Sequence, residues 1–198
     1  MARGKQASGS PSAASETNAG DPEAQARQIC LRLLETAPRT RAQLATALRR
    51  RSVPHEAAEA VLARFTDVGL IDDAAFARAW VESRHYSRGL SRRSLSAELR
   101  HQGIETDEID AAVGTLDPEQ EVATARRLVE QKMAATRGQS PEARARRAAG
   151  TLARKGYPPR LVFRLIKEVL EQEGSHETLD LDPDQYLDPD AEPDQPGE

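Results

Sequence analysis

The sequence predicts an all-α protein: three tandem three-helix repeats forming an elongated, curved molecule, with disordered termini. Three observations lead there. An apolar stripe with i, i+3, i+4, i+7 spacing occurs three times, as Ala58, Val61, Leu62 and Phe65, then Ile109, Ala112, Val113 and Leu116, then Val162, Leu165, Ile166 and Val169. Ahead of each stripe stands the same helix ending: Leu48 with Ser52-Val53, Leu99 with Gly103-Ile104, and Leu152 with Gly156-Tyr157, and one turn earlier Leu44, Leu95 and Ala148. No segment shows the alternating pattern of a strand.

Each repeat begins with a looser helix, over about 24–36, 73–87 and 118–134. In the first of these, Cys30 shares an apolar face with Ile29, Leu33 and Leu34, the setting of a buried thiol. Thr40 with Gln43 reads as a capping box for the next helix, and Ser52 stands where the other repeats have glycine. In the second repeat Gly69 suits a left-handed helix stop, Asp72 caps a helix carrying Phe76 and Trp80, and Ser91 caps the following helix. Leu95 and Leu99 then face inward, Arg92, Arg93 and Arg100 outward, and Gly103 ends the helix. In the third repeat Asp117-Pro118 and Ser140-Pro141 place proline at the first helical position, and Val122, Ala125, Leu128, Val129 and Met133 face inward. The repeats run over 23–71, 72–116 and 117–173. Phe65, Phe76, Trp80, Tyr157 and Phe163 are the expected large core fillers.

The ends differ from this middle. Residues 1–22 are rich in Ser, Ala, Gly and Pro, and 174–198 carry nine acidic side chains, four prolines and no Lys or Arg. Both are expected to be disordered. The whole chain has net charge −4; the first 22 residues are balanced and the tail is −9, so 23–173 is +5. Within it, 126–167 hold twelve Lys or Arg against Glu130 and Glu142. A basic face on the last third follows, despite an acidic whole.

Several chemistries are excluded. There is no phosphate-binding glycine loop, no dinucleotide fingerprint and no disulfide, since Cys30 is the only cysteine. His55, His85, His101 and His176 lack the spacing of a metal site and are expected at the surface. Asp180-Leu-Asp-Pro-Asp184 resembles the start of a calcium loop, but Gln185 stands where glycine is needed and Ala191 where the bidentate glutamate belongs. Glu82 and Glu98 sit among arginines and read as charge balance. No enzyme activity and no cofactor are expected. No apolar run is long enough for a membrane helix, no signal peptide is seen, and a cytoplasmic protein is expected.

What remains is arginine. Arg49, Arg50 and Arg51 close the second helix of the first repeat, Arg84, Arg88, Arg92 and Arg93 surround the start of that helix in the second, and Arg144, Arg146, Arg147, Arg154 and Lys155 lie on or beside it in the third. Recurrence near equivalent helices suits a stripe that follows phosphates or an acidic protein surface. The candidate contact residues are Arg84, Arg88, Arg92, Arg93, Arg144, Arg146, Arg147, Arg154 and Lys155.

The Leu-Ile-Asp-Asp-x-x-Phe-Ala segment at 70–77, the basic linker after it and Glu-Leu-x-x-x-Gly-Ile at 98–104 resemble the RecX family of recombinase regulators. The resemblance covers roughly 24–173 and departs from the family pattern at Ser52 and in the long tails. It implies a protein that binds the RecA recombinase, mainly as its filament on single-stranded DNA, inhibits its ATPase, strand-exchange and coprotease activities, and so modulates DNA repair, recombination and the SOS response; separately, a monomer is expected. Single-stranded DNA is an accompanying partner, touched directly or within the filament. The family brings no catalytic residues. A helix-turn-helix DNA-binding regulator and a helical scaffold that binds no DNA remain alternatives.

Overall fold

The computed structural model describes residues 21–174. The tails expected at 1–22 and 174–198 lie outside them, with His176 and the acidic run at 180–184, except at three positions. Asp21 and Pro22 are the cap and first residue of a helix rather than tail, and Gly174 donates its N–H to the Glu171 carbonyl.

Among the described residues there are nine helices and no strand: α1 (Pro22–Thr36), α2 (Arg41–Arg50), α3 (His55–Asp67), α4 (Asp73–Arg88), α5 (Arg92–His101), α6 (Thr106–Gly114), α7 (Pro118–Ala135), α8 (Pro141–Arg154) and α9 (Pro159–Gln172). They fall into two compact units divided at Asp72/Asp73, the first holding α1–α3 and the second α4–α9. The second and third repeats are therefore packed together as one unit.

Local chemistry sets the helix ends. Thr40 Oγ1 accepts from Gln43 N at 3.1 Å while Gln43 Oε1 accepts from Thr40 N at 3.3 Å, so each side chain satisfies a backbone N–H that has no intrahelical partner. Ser91, Asp117 and Ser140 cap α5, α7 and α8 through their side chains. Each second helix stops alike: Val53 N donates to Leu48 O, Ile104 N to Leu99 O and Tyr157 N to Leu152 O, at 3.1–3.2 Å. That closure requires a left-handed residue just before the donor. Gly103 (φ 79°) and Gly156 (φ 82°) supply it without steric cost, and Ser52 adopts it at φ 57° with a Cβ in place.

Burial follows the repeat. All twelve stripe positions are buried, as are Leu44, Leu95 and Ala148, and Val53, Ile104 and Tyr157. Three cores result, one per repeat. Cys30 is fully buried in the first, where burial pushes its thiol pKa up and leaves it unreactive. Of the five aromatic fillers, Phe65 and Tyr157 are buried, whereas Phe76, Trp80 and Phe163 only flank their cores. Val122 and Leu128 are likewise half-buried.

Two stability outcomes follow. Phe65→Ala removes a ring from a core of one small repeat and should lower unfolding free energy by about 3–5 kcal/mol in urea titration. Ser52→Gly relieves left-handed strain that the other repeats avoid and should raise stability by about 1 kcal/mol, read as a higher denaturation midpoint of the first unit.

Candidate functional site

In the second unit the end of α4 and the start of α5 meet α7 and the α8–α9 turn along a polar seam. Ser91 N donates to Lys155 O at 3.0 Å, and Tyr157 Oη donates to Gly89 O at 3.0 Å. Burial raises the Tyr157 phenol pKa far above its ordinary value, the Glu121 charge adding and Arg127 opposing, so the phenol remains a donor. Lys155 Nζ donates to the Arg88 carbonyl. Two glycines permit the approach. A Cβ on Gly156 would lie 2.2 Å from Ser94 Oγ, and one on Gly89 (φ 62°) would lie 2.9 Å from Leu128 Cδ1.

His85 belongs to this seam, not to the surface where the sequence placed it. It is buried, with Nδ1 2.9 Å from Leu90 O and Nε2 3.1 Å from Thr124 Oγ1. A carbonyl oxygen can only accept, so Nδ1 donates to Leu90 O, while Nε2 meets the Thr124 hydroxyl. Its partners lie 5 and 39 residues away, and no local pattern signals the second. His55 and His101 are exposed as expected.

The arginines divide into those held by the fold and those left at the surface. Arg144, expected as a contact residue, is buried: it donates to the Met133 carbonyl through Nε and Nη2, and Nη1 lies 2.7 Å from Glu173 Oε2. It ties the end of α7 to the end of α9. Arg92, expected to face outward, is half-buried; its N–H donates to Glu121 Oε1 at 2.8 Å, and its Nε forms an ion pair with Oε2 at 3.5 Å without a hydrogen bond. Arg84 stacks 4.3 Å over the Trp80 ring, itself stacked on Phe76, beside Glu98, which accepts from Trp80 Nε1. Arg84 and Arg88 approach Glu98 at 3.9 and 4.0 Å. Arg84, Arg92 and Arg144 are thus engaged within the fold, whereas the Arg88 side chain stays 57% exposed.

Arg93, Arg146, Arg147 and Arg154 are exposed. Arg88, Arg154 and half-buried Lys155 come together at a cleft of about 590 Å³ on the seam, joined by Arg127 from α7, which sequence reading missed. Its only sequence signal was membership in the basic 126–167 stretch. Tyr86 stands at the same cleft with 89% of its surface exposed. The described residues group no three potential metal ligands, and none of their helices is long and apolar enough to cross a membrane.

Three-helix units, two of them with a cationic cleft between them, define an all-helical repeat protein. Its kin are specific. Family models described as the first, second and third three-helix domains of RecX match residues 26–65, 72–113 and 119–166. The chain is 60% identical to "Regulatory protein RecX" of Thermobifida fusca over 76% of its own length and 82% of the relative's, and 60% identical to that of Streptomyces coelicolor over 78% and 82%. A crystal structure of regulatory protein RecX is 26% identical, with a TM-score of 0.67 over 75% of this chain and 74% of that one. RecX from Lactobacillus salivarius, 18% identical, shares the fold with a TM-score of 0.68 over 75% and 97%. This chain belongs to the RecX family.

The Arg144–Glu173 pair gives a pH-dependent outcome. The hydrogen bond from Arg144 holds the Glu173 carboxyl below its ordinary pKa, with burial opposing. A lowered carboxylate contributes stability above its unfolded pKa of about 4.3 and loses it as pH falls through the folded value. Wild type should therefore melt above Glu173→Gln at pH 7, and the gap should close as pH drops below about 4. Thermal melts across that range check it.

Proposed function

We propose that this chain binds the RecA recombinase, chiefly as its filament on single-stranded DNA, and inhibits ATP hydrolysis, strand exchange and coprotease activity. A regulatory role belongs to the family. The observation that carries the finer reading is the ordered match of all three RecX domains together with 60% identity to proteins named Regulatory protein RecX. The physical means is occupancy: a partner with higher affinity for one filament state shifts the population toward that state. Exposed cations suit a partner whose surface carries phosphates or carboxylates.

The helix-turn-helix alternative is less well supported. A recognition helix reads bases with residues near its N-terminus. Here each second helix spends an arginine of its first four residues on a glutamate: Arg41 on Glu59, Arg92 on Glu121 and Arg144 on Glu173.

The test is DNA-dependent ATP hydrolysis by purified RecA, titrated with this protein. Suppression at well below one copy per recombinase subunit is expected, and undiminished hydrolysis with excess folded protein would overturn the reading. Arg92 and Arg144 are unsuitable for charge reversal, because glutamate at either would face an existing glutamate and disturb the fold. The triple variant Arg93→Glu, Arg146→Glu, Arg147→Glu changes exposed positions only and should raise the half-inhibitory concentration about tenfold, corresponding to roughly 1.4 kcal/mol of lost interaction.

A further inference from the structure

We infer that the cleft between α4, α7 and α8 is a binding site for a short stretch of single-stranded nucleic acid, one base stacking on Tyr86 and the sugar-phosphate backbone running across Arg88, Arg127, Arg154 and Lys155. This deepens the reading above by giving this chain its own contact with the strand.

Charge comes first. Four cationic side chains line one cleft, and no Asp or Glu is among the residues lining it. The Arg88–Glu98 approach of 4.0 Å leaves the Arg88 side chain 57% exposed, and the bond from Lys155 goes to a neutral carbonyl that does not cancel its charge. Like charges repel, so a cluster of this kind favours an anionic ligand that carries several charges.

Size and shape come next. About 590 Å³ is the scale of a site for a small organic ligand rather than for one inorganic anion. Tyr86 separates nucleic acid from an acidic peptide. This residue is 89% exposed beside the cations, whereas Tyr157 on the same seam is buried. An exposed ring next to a track of positive charge is the pairing by which proteins hold single strands without regard to sequence, since every base has a face to stack. A duplex keeps its bases stacked on each other and offers none to the ring.

The setting is rigid where it matters. Gly89 lies between Tyr86 and α5, with its carbonyl held by Tyr157 and its Cα against Leu128, while Lys155 is tied to the Arg88 carbonyl. The strand-facing groups thus sit on helices locked by the seam.

The test is fluorescence anisotropy of the full chain, without recombinase, against labelled thymidine 20-mer and an abasic 20-mer of equal charge, over a salt series. Tyr86→Ala should weaken binding to the thymidine strand about tenfold and leave the abasic strand unaffected. Arg127→Ala with Arg154→Ala should weaken both and reduce the salt slope by roughly 1.4, two phosphate contacts at about 0.7 each. These three residues are exposed, and circular dichroism confirms folding of each variant. No binding at low salt, or Tyr86→Ala acting equally on both strands, overturns the site. Displacement of the thymidine strand by polyglutamate of equal charge as readily as by unlabelled strand also overturns it, in favour of an acidic protein partner. Oligonucleotide binding and suppression of RecA are separate measurements, so failure of either is distinguishable from failure of the other.

Discussion

The second unit depends on two three-helix cores meeting across backbone that carries no side chain. Neither core is large: each rests on three helices of 9–18 residues, and bundles of that size bury too little apolar surface to be secure alone. Glycine at 89 and 156 lets α4 and the α8–α9 turn approach within a hydrogen bond, and the bond from Tyr157 to the Gly89 carbonyl is buried. A buried carbonyl left without a donor would cost about 1–3 kcal/mol, so Tyr157, His85 and Ser91 become part of the junction. Gly156 serves twice, ending α8 in the left-handed conformation and leaving room for Ser91 and Ser94.

This seam also explains how a chain with so many arginines distributes them. A guanidinium at a helix junction can satisfy several acceptors in one plane, which lysine cannot, and Arg144 does so between Met133 and Glu173. Arg92 has a similar place beside Glu121. Cations with such partners hold the bundles together and have little left to offer a ligand. Those around the cleft have no carboxylate lining it, and Arg88, 4.0 Å from Glu98, keeps 57% of its side chain exposed, so neighbours and exposure rather than residue type separate the two groups.

Sequence reading placed the helices because their signals are local. Thr40 and Gln43, Ser140 and Pro141, and the stripe from Ala58 to Phe65 each act within one or two turns, and the threefold recurrence made each instance support the others. The same logic located the left-handed stops, including the one at Ser52, whose exception from glycine was visible before its φ of 57° was known. Exposure of arginine was less legible. Arg92 stands three residues before Leu95 and seven before Leu99, and Arg144 four before Ala148 and eight before Leu152, so both share the buried side of their own helices; an expectation that charge stays outward overlooks the carboxylates of Glu121 and Glu173, which come from other helices.

By itself, then, the sequence determined the helical class, the repeat, the caps and the core stripes, for these depend on spacing along one chain segment and on the removal of apolar side chains from water. Only the tertiary structure decided which polar residues are structural. His85 finds Thr124 39 residues away, Arg144 finds Glu173 29 residues away, and Tyr157 finds the Gly89 carbonyl 68 residues away. The cleft belongs to the same category, because Tyr86, Arg127 and Arg154 come from three helices. Periodicity describes the face of one helix, whereas a site requires several faces to meet, and their meeting is governed by packing between segments distant in the chain.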